Sequence, residues 1–349
     1  MKACFIGGTG TISMAIVRLL SADPNWEVYT VNRGNRGAEL PENVHQIIVN
    51  DLHDEDEMRE KLAGLTFDTV AEFFAFGVPD VERDYRLFKG RTNQYIFISS
   101  ASAYHKPCAD YRISESTTLA NPYWEYSRNK IACEDFLMGK YRAEGFPVTI
   151  VRPSHTYDER SVPLGVHGKK GSWQVVKRML EGKPVIIQGD GTSLWTLTFN
   201  TDFAIGFKGL MGNKHAIGEA FQITGDESLT WNMIYQTIAD ALGVPLKAYH
   251  ISSEFLAAVG DPMGYDYTGS LIGDKAVTVV FDNTKIRRVS PDMGTHVPYH
   301  EGVRIALKYI LSHKECQVED PEFDAWCDRV IAALDNAKAA LNGQKGEEK

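Results

Sequence analysis

Cysteine is scarce in this chain and poorly spaced for chemistry. The five cysteines, Cys4, Cys108, Cys133, Cys316 and Cys327, are odd in number and include no Cys-x-x-Cys pair. That excludes a disulfide framework and a thiol redox motif, and points to reduced thiols in a cytoplasmic setting. The ten histidines form no ligand motif, so no structural metal is expected. No apolar run approaches the ~18 residues of a membrane span. Lys2 is followed at once by a Gly turn and an amphipathic helix, unlike a signal peptide, so neither a membrane nor a leader is expected. Positive charge is also in deficit, with 37 Lys+Arg against 46 Asp+Glu and a net charge of −9. The only basic pairs that stand out are Lys169-Lys170 and Arg287-Arg288, so a nucleic-acid backbone would be repelled and no such partner is expected. Repeats, low-complexity tracts and flexible interdomain linkers are missing as well.

What is present is a globular composition, 43% hydrophobic over 349 residues, ample for one large core or two lobes. Lys2-Ala3-Cys4-Phe5-Ile6 reads as a short buried strand, Gly7-Gly8-Thr9-Gly10 as a turn, and Thr11 to Leu20 as a helix with an apolar stripe. Glycines in that position let the backbone approach a pyrophosphate, whose charge meets free N–H groups at the helix start. The third glycine position of the usual dinucleotide fingerprint is Ser13, small enough for close helix–strand packing.

The strand ending Val28-Tyr29-Thr30-Val31 runs into Asn32-Arg33-Gly34-Asn35-Arg36, with no acid to hold the ribose hydroxyls of NAD. Arg33 or Arg36 suits a 2′-phosphate and equally suits a solvated loop, so NADP is permitted and NAD stays open. Val44 to Val49 reads as another strand, with Asp51-Leu52 at its carboxyl end. Asp51 fits an adenine amino group and a loop acid about equally.

Further on, Gln94 to Ile98 reads as a strand that ends in Ser99-Ser100-Ala101-Ser102-Ala103-Tyr104. Tyr126-Ser127-Arg128-Asn129-Lys130 then places a phenol and an ammonium on one helical face. A nearby cation favours the phenolate, and a phenol tuned toward neutral pH moves protons. Taken alone, the pair also suits a tyrosine packed on a lysine stem. The order of the surrounding elements gives it its weight.

In that order the chain resembles an extended short-chain dehydrogenase/reductase of the NAD-dependent epimerase/dehydratase family, by ordered motifs over roughly the first 205 residues. The resemblance implies an α/β fold, a Rossmann-type doubly wound parallel sheet with a smaller C-terminal α/β substrate lobe. It implies Ser100, Tyr126 and Lys130 as catalytic residues, and NAD or NADP as cofactor. Cofactor contacts are implied for Gly7, Thr9, Gly10, Thr11, Ile12, Asn32, Arg33, Asp51, Leu52, Phe74, Tyr126, Lys130 and Pro153, the last within the Arg-Pro segment Val151 to Tyr157. It implies a small-molecule substrate of carbohydrate type, contacted by Ser102, Tyr104, His155 and Trp195, and a homodimer.

Departures from the family pattern narrow the chemistry. Ala101-Ser102 stands where sugar-nucleotide dehydratases carry an Asp-Glu pair, which argues against water elimination. Trp195 replaces the arginine that grips a nucleotide diphosphate in many relatives. It suits stacking on a ring, or a core. His155 suits a substrate hydroxyl or a structural bond. Glu72, in Val70 to Phe76, suits a paired structural acid or a ribose contact. The same region, with Asn32-Arg33-Gly34 and Ser99 to Ser102, resembles a divergent branch that includes chloroplast stem-loop RNA-binding proteins. The acidic charge and the intact Ser100, Tyr126 and Lys130 weigh against an RNA-binding scaffold.

The expected domains are 1–165 for the dinucleotide, with a segment returning near 198–215, and 166–341 mainly for the substrate lobe and C-terminal helices. A flexible tail is expected over 342–349. Within the second part, helices are expected at Trp173 to Leu180 and Trp231 to Leu242, with short strands at Val185 to Ile187 and Ala248 to Ser252. Thr201-Asp202 is expected to cap the returning helix, Asn200 to Leu210. Helix is expected from Pro298 almost to Asn342. An active-site cleft is expected between the lobes, and the family resemblance makes a sugar or sugar-nucleotide epimerase the first functional reading and an NADP-dependent carbonyl reductase the second.

Overall fold

A computed structural model describes residues 1–36 and 39–343. The chain divides into two compact units, the first comprising Met1–Asp158, Leu194–Ser228 and Val277–Tyr299. The second comprises the described parts of 159–193, 229–276 and 300–349.

The first unit is built on seven strands: β1 (Lys2–Ile6), β2 (Glu27–Asn32), β3 (His45–Ile48), β4 (Thr69–Glu72), β5 (Tyr95–Ile98), β6 (Val148–Pro153) and β7 (Ala220–Ile223). Their order across the sheet is β3-β2-β1-β4-β5-β6-β7, and every pair is parallel. Parallel pairing needs crossovers, and helices α1 (Ser13–Ser21), α2 (Glu55–Lys61), α3 (Val78–Phe88) and α4 (Glu125–Glu144) supply most of them. Because helices cover both faces, the central strands β1, β4, β5 and β6 are buried nearly throughout, and their side chains part to opposite sides. Ala3, Phe5, Ile96 and Ile98 join one core with Ile16 and Leu20 of α1 and Phe203 and Phe207 of helix Asn200–Leu210. Cys4, Ile6, Tyr95 and Phe97 join the other with Met58, Val81, Phe88, Cys133 and Leu137 from α2, α3 and α4. The strand order reverses direction at β1, so the carboxyl ends of β1 and β4, where Ile6 pairs with Glu72, flank the switch point of the sheet.

Helix Asn200–Leu210 returns to this unit, but its start differs from expectation. Phe199 is the N-cap and no side chain caps it. The Asp202 carboxylate, itself buried, instead accepts the N–H groups of His296 and Val297, both at 3.0 Å. A two-residue strand pair, Arg112–Ile113 with Val280–Phe281, has no counterpart in the sequence reading.

In the second unit, strands Val185–Gln188 and Ala248–Ile251 pair in parallel, and helices Trp173–Leu180 and Trp231–Leu242 form where their apolar periodicity places them. Gly243, at φ 71°, ends the latter in the left-handed conformation that glycine adopts without strain. The C-terminal helical stretch is two helices, Tyr299–Ser312 and Pro321–Gly343, with a 3₁₀ turn at Lys314–Cys316 between them. Pro321 lacks the N–H needed to continue a helix and begins a new one instead. Asn342 and Gly343 close that helix, and the rest of the expected tail, 344–349, lies outside the described residues. No described helix is long and apolar enough to cross a membrane, and no group of three or more described His, Cys, Asp or Glu is placed to hold a metal ion.

Candidate active site

The Gly turn leaves β1 with Gly7 at φ 78°, a conformation glycine takes without penalty. At Gly8 an added Cβ would lie 2.7 Å from Thr30 Cγ2 and 3.0 Å from Phe5 Cβ, so only glycine lets the turn sit this close to β1 and β2. Ser13, fully buried, closes the turn. Its Oγ accepts the Gly10 N–H at 2.9 Å and donates to the Gly7 carbonyl at 2.9 Å. The N–H groups of Thr11 and Ile12, just ahead of α1, donate to no group among the described residues. A glycine cradle that a Cβ would fill, with unspent N–H groups at a helix start, fits a dinucleotide pyrophosphate. Thr9 and Gly10 are half-buried on the same turn.

At the carboxyl end of β2, the buried Asn32 spends its amide on the turn. Its Oδ1 accepts Gly34 N–H at 2.8 Å and Gln46 Nε2 at 2.9 Å, and its Nδ2 donates to Thr30 Oγ1 at 3.3 Å. Arg33 is exposed, and Arg36 Nη1 reaches the Thr9 carbonyl at 3.4 Å, so Arg36 borders the Gly turn. Beyond β3, Asp51 is exposed and its Oδ1 accepts the His53 N–H at 2.9 Å, while Leu52 is buried. Phe74 is half-buried, with its ring 5.1 Å from that of His53.

Ser100 follows β5 and caps the 3₁₀ turn Ala101–Ala103, its Oγ accepting the Ser102 N–H at 3.1 Å. That turn packs on α4. On α4 the buried side chains Ser127, Lys130, Glu134 and Leu137 fall three or four residues apart and form one face, with Tyr126 half-buried at its margin. Lys130 is 2% exposed and its Nζ donates to the carbonyls of Ala75 at 2.6 Å and Ile98 at 2.8 Å. It lies 4.9 Å from the ring centres of Phe76 and Phe97 and 5.8 Å from that of Tyr126. Burial lowers its pKa to about 8, with nearby acids pulling the other way. Ser100, Tyr126 and Lys130 are thus gathered at the carboxyl ends of β4 and β5, by way of Ile98 and the α4 start.

Glu72 ends β4 and is fully buried. Its Oε1 accepts the N–H groups of Phe74 and, at 2.8 Å, Ala75. Burial, then the charge of Asp84, raises its pKa well above the ordinary carboxylate value. Arg83 donates to Asp84 Oδ1 through Nε at 2.9 Å and Nη2 at 2.7 Å, and Tyr95 donates to Asp84 Oδ2 at 2.7 Å. Glu72, through Oε1, shapes the Phe74-Ala75 turn.

The proposed substrate residues divide differently. Ser102 is buried and its Oγ is engaged by Ser100 at 2.8 Å and Ser127 at 2.7 Å. Tyr104 is fully buried, donates to Gln222 Oε1 at 3.0 Å and has the Arg152 guanidinium 5.0 Å over its ring. Arg152 also pairs with Glu134 at 2.5 Å, and Pro153 ends β6 beside Ile223. His155 is half-buried and accepts from Trp195 Nε1 through Nδ1 at 3.2 Å, which places the proton of the neutral ring on Nε2. Trp195 itself is 3% exposed and belongs to the interior. A cavity of ≈ 790 Å³ in this unit is lined by Glu115, Arg152, Lys285 and Arg288, and by none of Ser100, Tyr126 and Lys130. Sequence reasoning passed over Ser127 and Asn121, although the spacing of Ser127 to Lys130 and Glu134 marks one helix face.

Residues 85–224, which include Ser100, Tyr126 and Lys130, match the model of the NAD dependent epimerase/dehydratase family. The chain is 24% identical over 257 residues to the 2'-dehydrokanamycin reductase of Streptomyces kanamyceticus, covering 74% of this chain and 71% of that protein. It is 24% identical over 255 residues to the chloroplast stem-loop binding protein of 41 kDa b of Arabidopsis thaliana, covering 70% of this chain and 64% of that protein. Among solved structures, the fold is similar to that of UDP-glucuronic acid 4-epimerase from Bacillus cereus in complex with NAD. There the TM-score is 0.69 at 18% identity, over 89% of this chain and 99% of that one. The matched segment carries the signature of the NAD dependent epimerase/dehydratase family, and the fold is the one seen in the solved epimerase structure.

Proposed function

We propose that this chain is a nicotinamide-dependent epimerase acting on a sugar or sugar nucleotide. The carrying observation is the gathering of Ser100, Tyr126 and Lys130 at the carboxyl ends of β4 and β5, in the sheet whose Gly turn fits a dinucleotide. NAD or NADP, when bound, supplies the hydride acceptor and donor. Tyr126 takes the proton of a carbinol as the carbon is oxidised and returns it when the ketone is reduced. Lys130, its ammonium pinned by two carbonyls, stabilises the phenolate and stays within reach of a ribose. Ser100 holds the same substrate oxygen. A ketone that turns before reduction yields the epimer. Ala101 and Ser102, in place of an acid pair, provide no proton carrier for water elimination.

A second reading, a net NADP-dependent carbonyl reductase, is favoured by the absence of an acid after β2 and the placement of Arg33 and Arg36 there. Denaturing the purified protein and identifying the released nucleotide by mass spectrometry separates the two. Retained oxidised cofactor in stoichiometric amount supports the epimerase, and an empty protein that binds NADPH reversibly supports the reductase. Tyr126→Phe is expected to lower turnover roughly 10²–10⁴-fold. Unchanged turnover in that variant removes the hydride-transfer reading altogether.

A further inference from the structure

Three serine hydroxyls stand in a row behind the candidate site. Ser127 Oγ donates to Ser102 Oγ at 2.7 Å, and Ser102 Oγ lies 2.8 Å from Ser100 Oγ. Ser127 is fully buried and Ser102 3% exposed, so both hydroxyls must be satisfied inside the protein. Asn121 holds the row in register. Its Nδ2 donates to the Ser102 carbonyl at 2.9 Å, and its Oδ1 accepts the N–H groups of Tyr123 at 3.1 Å and Trp124 at 3.2 Å, where α4 begins.

Hydroxyl accounting gives this row a direction. A serine oxygen has one proton to donate and two lone pairs to accept with. Ser102 receives the proton of Ser127. At its 2.8 Å contact with Ser100 either oxygen can donate, and Ser100 is the one acceptor given for the Ser102 proton among the described residues. Ser100 already accepts the Ser102 N–H at 3.1 Å. With both of its lone pairs taken, Ser100 has only its proton left to offer, and that proton points away from Ser102.

We propose that Ser127 and Ser102 are positioning residues whose relay fixes the Ser100 hydroxyl as a dedicated hydrogen-bond donor to the reacting oxygen of a carbonyl-bearing substrate. The inference rests on the hydride-transfer reading of the same site and deepens it. A site whose serine can only donate favours an oxygen that accepts: a ketone, or the alkoxide that precedes it. The relay orients protons and transfers none, since the proton exchanged with substrate belongs to Tyr126. Ser102 accordingly acts through Ser100.

Neutron diffraction from deuterium-exchanged crystals of the full chain tests the direction. The expected map has the Ser127 deuteron on Ser102 Oγ, the Ser102 deuteron on Ser100 Oγ, and the Ser100 deuteron turned away. A Ser100 deuteron on Ser102 overturns the relay. Kinetics test its purpose, with NADPH and diacetyl or UDP-glucose as probes. Ser127→Ala is expected to lower kcat about tenfold with KM within about twofold, and to have less than about a twofold effect in a Ser100→Ala background. Ser127→Thr, which keeps the hydroxyl, is expected to restore kcat, and unchanged NADPH affinity checks that each variant is folded. Equal losses from Ser127→Ala in both backgrounds overturn the positioning role. A wild-type protein inactive on every probe, with Tyr126→Phe no different, overturns the hydride-transfer reading and the relay's purpose with it, while the neutron map still reports whether the relay exists.

Discussion

Lys130 Nζ donates to the Ala75 carbonyl at 2.6 Å, and the N–H of Ala75 donates to Glu72 Oε1 at 2.8 Å. The candidate catalytic lysine is thus seated on a turn that a buried carboxyl group holds in shape. A group with no access to solvent or substrate governs where the ammonium stands.

Removing that carboxyl strands two buried N–H donors. Glu72→Ala is expected to cost roughly 2–5 kcal/mol in denaturant unfolding, while Glu72→Gln, which keeps an acceptor for Phe74 and Ala75, stays within about 1 kcal/mol. The pH dependence has a definite sign. Burial and the Asp84 charge hold the Glu72 pKa above its ordinary 4.5, so the folded state binds the extra proton and stability falls as pH rises above that value. The difference between Glu72→Gln and wild type should therefore move in favour of glutamine as pH rises above 4.5. A pH-independent difference means that Glu72 is ionised in the folded protein.

Lys130 gives the opposite slope at higher pH. Its folded pKa of about 8 lies below its ordinary 10.5, so in that window the unfolded chain holds more protons and stability rises with pH. The rise is expected to reach about 3 kcal/mol and to vanish in Lys130→Met. Parallel urea-unfolding series of the two proteins across this range measure it, and equal slopes mean that the folded lysine keeps an ordinary pKa.

Ser13 separates size from hydrogen bonding. Smallness alone makes Ser13→Gly equivalent to wild type in cofactor affinity. The bonds to Gly7 and Gly10 predict instead that Ser13→Gly and Ser13→Ala both weaken dinucleotide binding about tenfold, as the turn loses about 1 kcal/mol of support. Titration followed by NADH or NADPH fluorescence distinguishes the two.

Arg33 and Arg36 bear on cofactor choice. If they meet a 2′-phosphate, replacing both by alanine is expected to weaken NADPH binding about 10- to 100-fold and leave NADH binding within about twofold. The NADPH loss should shrink as salt is raised. Equal losses for both cofactors assign these residues to the loop alone.

Much of this molecule is legible from neighbours along the chain. Val185–Gln188 and the helices Trp173–Leu180 and Trp231–Leu242 form where apolar periodicity places them, because facing a core constrains residues two, three or four apart. The turn at Gly7 and the pairing of Tyr126 with Lys130 on one face belong to the same local class. Tertiary structure decided the rest. Tyr104 is buried on Gln222, 118 residues away, and Asp202 is drawn from helix capping to amides 94 and 95 residues on. Glu72 is an inconspicuous acid in sequence until Asp84, Tyr95 and Arg83 close around it. A chain reads out its periodicities from local sterics and burial, whereas the partner of a buried polar group, and hence its proton, is set only when distant segments meet and exclude water.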